Sequence, residues 1–445
     1  MASLLGLTLP DRATAPFCPS EVEGSVVVPA GATRAQRIAR FAGPGLLIAV
    51  GYMDPGNWAT DIAAGSGYGF DLLFVVVAAS LAAILLQSLA LRLGLASGLD
   101  LAQACRRRYG RLPNIALWVM AEIAILATDV AEVLGGALAI KLMLGLPLWA
   151  GILLTACDML LVVGLKGRGF RQVEAIVGAL VATIALCFLI ELIIVPPDPH
   201  AVAAGLVPDL GRLAQPGALA IAIGIVGATV MPHNLYLHSS IVQTRRIAGG
   251  DAETRRAIRI ANLDSAVSLA LAMLVNGAIL ALAASAFHAN GHAQVAEIDD
   301  AYRLLAPITG AKAAALFFGI ALFASGQSST FTGTIAGQVV LEGFLHLKIP
   351  CWQRRLITRG IAIVPALAGV ILFGDHGVGP MLVLSQILLS LQLPFAIWPL
   401  IRAASDRAIM GGLAAGRVAV SAAWGVFAVI AAANLWLLAS LLGGT

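Results

Sequence analysis

The sequence predicts an all-α polytopic membrane protein of about eleven transmembrane helices: two inverted five-helix units, each opening on a broken helix, and one further helix. Three observations carry that prediction. Of the 445 residues, 59% are hydrophobic and only 12% charged, against roughly 45–50% apolar and 25% charged in soluble domains. At about 20 apolar residues per span, the chain divides into about eleven apolar segments. The first and the sixth of these are interrupted near their middles by proline and polar residues.

Residues 1–41 hold no apolar run long enough for a signal-peptide core, because Leu4, Leu5 and Leu7 are followed at once by Pro10, Asp11 and Arg12. They read as a loose cytosolic tail. The predicted spans are 42–66, 72–97, 114–140, 147–165 and 173–195 in a first unit (42–195), and 217–240, 261–288, 312–337, 357–374 and 378–401 in a second (217–401). An eleventh, 417–442, lies outside the repeat. With the N-terminus inside, 23 of the 28 Lys and Arg fall on the inner side, which orients the N-terminus to the cytoplasm and the C-terminus outside. The same count brings segment one in from the inside and segment six from the outside, so the two units are inverted copies. Five scattered cysteines without C-x-x-C spacing give neither a disulfide framework nor a thiolate metal site.

The interruption of segment one is Asp54-Pro55-Gly56-Asn57. Proline costs roughly 3 kcal/mol in a helix interior and glycine about 1, so the helix should break there and release carbonyls. Irregular backbone at membrane depth is tolerated only where protein or a wet cavity receives it, and an aspartate there is a site candidate. The plainer reading is a proline kink with a neutral, hydrogen-bonded Asp54. Segment six carries the matching interruption, Met231-Pro232-His233-Asn234, and paired broken helices in inverted halves point to a midplane transport site.

Together Asp54, Asn57 and Met231 offer a carboxylate, an amide oxygen and a thioether, beside carbonyls freed near Tyr52 or Met53 and near Ala228. Mg²⁺ and Ca²⁺ favour all-oxygen shells, whereas a thioether suits later divalent ions. The mixed set points to Mn²⁺ or Fe²⁺ as transported substrate, with some promiscuity toward Cd²⁺ or Co²⁺. Met231 as a gap-filling core methionine is the alternative.

These two motifs, with Gly326-Gln-Ser-Ser-Thr-Phe-Thr-Gly-Thr-Ile-Ala-Gly-Gln338, resemble the natural resistance-associated macrophage protein (NRAMP) family of proton-coupled divalent metal transporters, in its bacterial manganese branch. The likeness runs from about residue 42 to 401. It implies a leucine-transporter-type fold working by alternating access in the bacterial inner membrane. It also implies Asp54, Asn57 and Met231 as side-chain ligands, the Ala228 carbonyl as a backbone ligand and Gln386 as a conformation-dependent one.

Segment three carries Glu122, Asp129 and Glu132 on one helical face. Three carboxylates there need raised pKa values or basic partners, and Arg354 and Arg355, just before segment nine, are candidates. The resemblance implies proton conduction for Asp129 and a network role for Glu122, Glu132, Arg354 and Arg355; a buried ion-pair cluster that only fixes helix packing is the alternative. His233 is expected to act in gating or proton handling, and His238 as a satisfied core histidine. Asp158, Glu191 and Asp264 lie near span ends, where no direct role is expected.

An amino-acid transporter on the same fold would have no use for Met231 beside Asp54. An intramembrane metalloenzyme would need a signature such as H-E-x-x-H or G-x-S-x-G, and an ATP-driven pump a G-x-x-x-x-G-K-[ST] loop; none occurs. The expectation is a secondary transporter, not an enzyme, with no cofactor beyond its metal substrate and coupling protons. Its surroundings are the lipid bilayer, with no nucleic-acid partner and no obligatory protein partner.

Overall fold

Proline and glycine set the helix boundaries in the computed structural model, which describes residues 3–4, 7–8, 23–28, 33–157, 170–215, 217–247, 249–292, 298–309, 312–347, 349 and 351–443. A first helix, α1 (Arg34–Phe41), starts at a capping box between Thr33 and Gln36. Pro44 opens α2 (Pro44–Gly51) and Pro55 opens α3 (Pro55–Tyr68), positions where a missing N–H costs nothing. The three residues between them are non-helical, so the first span is two half-helices.

Next come α4 (Leu73–Ser97), the short α5 (Leu101–Arg108), α6 (Arg111–Leu144), α7 (Leu148–Thr155), α8 (Phe170–Ile194) and α9 (Pro199–Gly205). The sixth span is again split, into α10 (Ala218–Val230) and α11 (Pro232–Ile241), with Met231 alone between them. The second unit continues with α12 (Asp251–Ala286), α13 (Ile298–Thr309), α14 (Lys312–Leu345), α15 (Cys351–Phe373) and α16 (Val378–Ser405), and the chain closes with α17 (Arg407–Met410) and α18 (Arg417–Gly443). Among the described residues nine helical segments are long and apolar enough to cross a membrane, the sixth counted across its break. The halved first span makes a tenth, and α7 is the described start of the predicted fourth. Beyond Cys157 the predicted fourth span, with Asp158, lies outside the described residues.

Burial sorts the helices into layers. The apolar windows of α6, α10–α11 and α14 are mostly buried, while those of α15 and α18 are mostly exposed, with side chains such as Ile371, Val418 and Leu442 on the outside. In a bilayer those faces meet lipid. At the centre α6 packs along α14, α15 and α16, and α12 packs along α2, α3 and α4.

Two expectations are corrected. The N-terminal segment is not loose where it is described: β1 (Val26–Val28) pairs in parallel with β2 (Arg245–Ile247), just past α11, and α1 packs on α12. Long-range hydrogen bonding holds what composition alone left free. Span nine begins at Cys351 rather than 357, which puts Arg354 and Arg355 inside the helix instead of before it.

The arginine-rich end of α2 is tied down as well. Asp264 on α12 accepts from the N–H groups of Gly43 (3.3 Å) and Gly45 (2.7 Å), which have no partner within the helix. Arg245, 2.7 Å from Glu174, also donates to the carbonyls of Arg40 (3.1 Å) and Ala42 (3.0 Å). Gly43 has φ +136°, and a Cβ there would collide with the Glu174 carboxylate, so glycine is required on both counts.

Candidate metal centre

Where the two breaks meet, side chains and carbonyls converge from α2, α3, α10, α11, α12 and α16. Asp54 is the N-cap of α3: its Oδ1 accepts from the backbone N–H of Asn57 at 2.8 Å and from Asn57 Nδ2 at 2.7 Å. Asn57 Nδ2 also donates to the Ala228 carbonyl at 3.0 Å, joining the first break to the last turn of α10. Gln386 on α16 fills the remaining side. A Cβ on Gly56 would collide with its amide, and one on Gly227 with its carbonyl.

Met231 holds φ +37° and ψ 102°, a sparsely populated conformation for a non-glycine residue that costs on the order of 1–3 kcal/mol. Pro232 disfavours helical geometry in the residue before it, which ends α10 at Met231; the positive φ is strain beyond what that restriction imposes. Asn234 Nδ2 donates to Met231 Sδ at 3.5 Å and lies against Gly51, where a Cβ would meet it. Asp54, Asn57, Ala228, Met231 and Gln386 are all buried, none exposed by more than 1%.

Acceptors are in excess here. Asp54 Oδ2, Asn234 Oδ1 and Gln386 Oε1 are buried and have no hydrogen-bond partner among the described residues. Each such oxygen costs about 1–3 kcal/mol, and grouped at two opened helices they form a pocket for positive charge. Among the described residues no three His, Cys, Asp or Glu side chains gather, so the donor set rests on one carboxylate, amides, a carbonyl and a thioether. The carbonyls of Tyr52 and Met53, expected to be free, are occupied: Asn276 Nδ2 donates to Tyr52 O at 2.9 Å, and Trp58 Nε1 to Met53 O at 3.2 Å, beside Ser325 Oγ.

All five of the expected carboxylate and arginine residues sit as ion pairs between α6 and α15. Arg355 bonds Asp129 and, at 2.7 Å, Glu132; Arg354 pairs with Glu122 at 2.8 Å. Arg355, Asp129 and Glu132 are buried, whereas the Glu122 side chain is 25% exposed. Glycines on α14 make the room: a Cβ on Gly333 would lie 2.8 Å from Glu132 and one on Gly337 2.7 Å from Arg354. His233 follows the second break directly, and its Nδ1 lies 3.4 Å from Thr128 Oγ1. Thr128 is the neighbour of Asp129, so side chains run from the metal centre to the network.

Several residues here were not singled out from the sequence. Arg359 lies 3.7 Å from Glu132 and donates to Thr330 Oγ1 at 3.2 Å. Asn276 reaches both Tyr52 O and Asn57 Oδ1, the latter at 3.3 Å. Gln87 Nε2 donates to Tyr52 OH at 2.8 Å, and its Oε1 lies 2.9 Å from His238 Nδ1, which leaves His238 a satisfied core histidine. The readable signal was a lone amide in an apolar span at Gln87 and at Asn276. Asp264 caps α2 as described above, and Glu191 is buried with both oxygens unpartnered among the described residues.

A family model described as natural resistance-associated macrophage protein-like matches residues 45–440. The chain is 58% identical over 436 residues to a divalent metal cation transporter MntH of Ralstonia nicotianae, covering 98% of this chain and 99% of that one. It is 59% identical over 434 residues to MntH 1 of Pseudomonas aeruginosa, covering 97% and 98%. The crystal structure of a manganese transporter from Eremococcus coleocola superposes with a TM-score of 0.88 at 38% identity, over 95% of this chain and 90% of that one. At 15% identity and a TM-score of 0.58, the chain also shares the leucine-transporter-type fold of Mhp1, a nucleobase-cation-symport-1 family transporter, over 96% of this chain and 94% of that one. The relatives are named as transporters, not enzymes, and the chain belongs to the natural resistance-associated macrophage protein-like (Nramp) family.

Proposed function

We propose that this protein imports divalent transition-metal ions, Mn²⁺ foremost and Fe²⁺, Cd²⁺ or Co²⁺ by promiscuity, coupled to protons and by alternating access of the two units (42–195 and 217–401). The observation that carries the reading is the excess of buried acceptors where the two breaks meet: Asp54 Oδ2, Asn234 Oδ1 and Gln386 Oε1. A dication satisfies them together, with the Met231 sulfur adding a soft donor that Mg²⁺ and Ca²⁺ do not need. Asn57 Nδ2 lies between the Asp54 carboxylate and the Ala228 carbonyl and supplies the positive end that both accept from. For metal to bind, that amide turns its oxygen inward, so Asn57 changes from a donor to a ligand.

The network of Asp129, Glu132, Arg355 and Arg359 sits beside the centre rather than in it. In this reading protons pass by way of His233 and Asp129 on a route separate from the metal, and Glu122 with Arg354 forms its more exposed end. The arginine-rich face is cytoplasmic, which puts the N-terminus inside, the C-terminus outside and the chain in the bacterial inner membrane. Two charges crossing 100 mV inward gain about 4.6 kcal/mol, on the order of a thousandfold in concentration, before protons contribute. The test is Mn²⁺ uptake into proteoliposomes under an imposed pH gradient, competed by Fe²⁺, Mg²⁺ and alanine. Uptake that rises with an acidic exterior, yields to Fe²⁺ and ignores Mg²⁺ and alanine is expected. Uptake indifferent to the pH gradient would remove the proton coupling, and competition by alanine would remove the metal assignment.

A further inference from the structure

On the arginine-rich face, below the metal centre, lies a second polar cavity of about 260 Å³. Its walls come from four places: Glu23 ahead of β1, Asp100 and Arg106 at α5, Ser240 at the end of α11, and Gln338 and Glu342 near the end of α14. Ser240 is nine residues past Met231, about 14 Å along α11. The cavity is therefore separate from the centre between the breaks.

Its chemistry is mainly that of oxygen and negative charge, with the His346 imidazole also on its lining. Glu23, Asp100 and Glu342 outnumber Arg106, whose guanidinium is turned to the backbone carbonyls of Glu342 and Gly343. Asp100 is fixed by the capping box of α5, with Oδ1 2.8 Å from the Gln103 N–H, and lies 2.9 Å from where a Cβ on Gly343 would stand. Burial pushes the Asp100 carboxyl up to about 7 against the hydrogen bonds from Gln103 and Ala102, and Glu342 adds to the rise over the opposing pull of Arg106. A neighbouring cation would relieve that cost. Gln338 gives an independent sign. It lines the cavity and is fully buried, its Nε2 is used by the Ile349 carbonyl at 2.8 Å and by Glu342, and its Oε1 has no hydrogen-bond partner among the described residues.

We propose that this cavity binds a hydrated divalent cation of the oxygen-preferring kind, Mg²⁺ or Mn²⁺, through the Asp100 and Glu342 carboxylates and the Gln338 amide oxygen. No three acidic or imidazole side chains converge among the described residues, so water completes the shell, as is usual for small hard ions bound by one or two carboxylates. With no thioether the site does not share the soft preference of the centre. A cation there bridges α5 and α14 beside the end of α11.

The experiment counts Mn²⁺ bound to the purified full-length Asp54→Ala protein in detergent, by the loss of the free-ion electron paramagnetic resonance signal, so that the centre between the breaks no longer contributes. One Mn²⁺ per chain is expected to remain and to be displaced by millimolar Mg²⁺. Adding Glu342→Gln should weaken that binding by more than roughly tenfold and abolish the rise in melting temperature that Mg²⁺ gives the Asp54→Ala protein. If the Glu342→Gln chain does not fold, Gln338→Leu in the same background tests the same site. No saturable Mn²⁺ in the Asp54→Ala protein, binding that Mg²⁺ does not displace, or binding unchanged by both further substitutions would overturn the proposal. Each of these readings is independent of whether the centre between the breaks transports Mn²⁺.

Discussion

Two clusters of buried carboxylates lie side by side in this protein, and they are balanced in opposite ways. At the helix breaks Asp54 has only amide and backbone donors, and three acceptor oxygens around it stay unpartnered among the described residues. Between α6 and α15, Asp129 and Glu132 face Arg355 and Arg359 from one side, and Glu122 faces Arg354. A cluster short of positive charge is built to receive it from outside. One that carries its own counter-ions can pass a proton along or lock helices together, but has no room for a dication. Asp129 Oδ2 and Glu132 Oε1 are also without a hydrogen-bond partner among the described residues, so buried acidic residues and spare acceptors alone do not locate a metal; the balance of charge does.

Asp54 is where this contrast is most exposed to test. Asp54→Ala removes the only anion at the breaks, and we expect Mn²⁺ uptake to vanish and calorimetric Mn²⁺ affinity at that site to fall by about a hundredfold or more. Uptake near the wild-type rate would place the metal elsewhere. The next largest effect belongs to the balanced cluster. Arg355→Met leaves two carboxylates buried against a weakened counter-charge and should destabilise the fold by about 3–5 kcal/mol, seen as a lowered melting temperature. Asp129→Asn is gentler: metal-stimulated proton flux should disappear while Mn²⁺ binding stays within a few-fold. Unchanged flux in that variant would reduce the network to packing.

A finer cut is Met231→Ala, which exchanges sulfur for water in the shell. Mn²⁺ transport should persist at lower affinity, Cd²⁺ binding should suffer most, and millimolar Ca²⁺ or Mg²⁺ should begin to compete. Identical competition profiles in the two proteins would return Met231 to the core. The smallest effect lies at the surface, where the Ala408 N–H and then the Arg108 guanidinium hold the exposed Asp406 carboxyl below its usual range. A depressed carboxyl contributes stability above the ordinary carboxylate pKa and loses it as pH falls through its lowered value. Solvent screens the pair, so Asp406→Asn should lower the melting temperature at pH 7 only slightly, and that small difference should vanish as the pH falls below the lowered carboxyl value.

Much of this was legible in the sequence because membranes impose simple rules. Apolar length marked the spans, and Pro55 and Pro232 marked the breaks, since a proline inside an apolar run removes a helix hydrogen bond wherever it falls. The candidate ligand positions came from the chemistry of Asp54, Asn57 and Met231 and from the family resemblance, and the structure brings those residues together. What stayed hidden was partnership. Nothing local shows that Asn276 reaches the carbonyl of Tyr52, or that Gln87 joins Tyr52 to His238, because one amide in an apolar helix gives no direction. Hydropathy ends a span at its charged residues, which sets the onset of span nine after Arg355 and hides that Arg354 and Arg355 lie buried within the helix. The pairing of Val26–Val28 with Arg245–Ile247 joins strands more than 200 residues apart, a distance over which periodicity carries no information.

That pairing has a mechanical consequence. Arg245 holds the carbonyls of Arg40 and Ala42 at the start of α2, and it stands at the head of the strand that follows α11. The two half-helices on the arginine-rich side therefore share one fastening, and neither can swing away while the other stays. Opening that face requires a buried Arg245–Glu174 contact and a short parallel ladder to yield in the same event. In the proposed alternating access, tying the two together would make the transition all-or-none, so that no leak path forms while only one half-helix has moved.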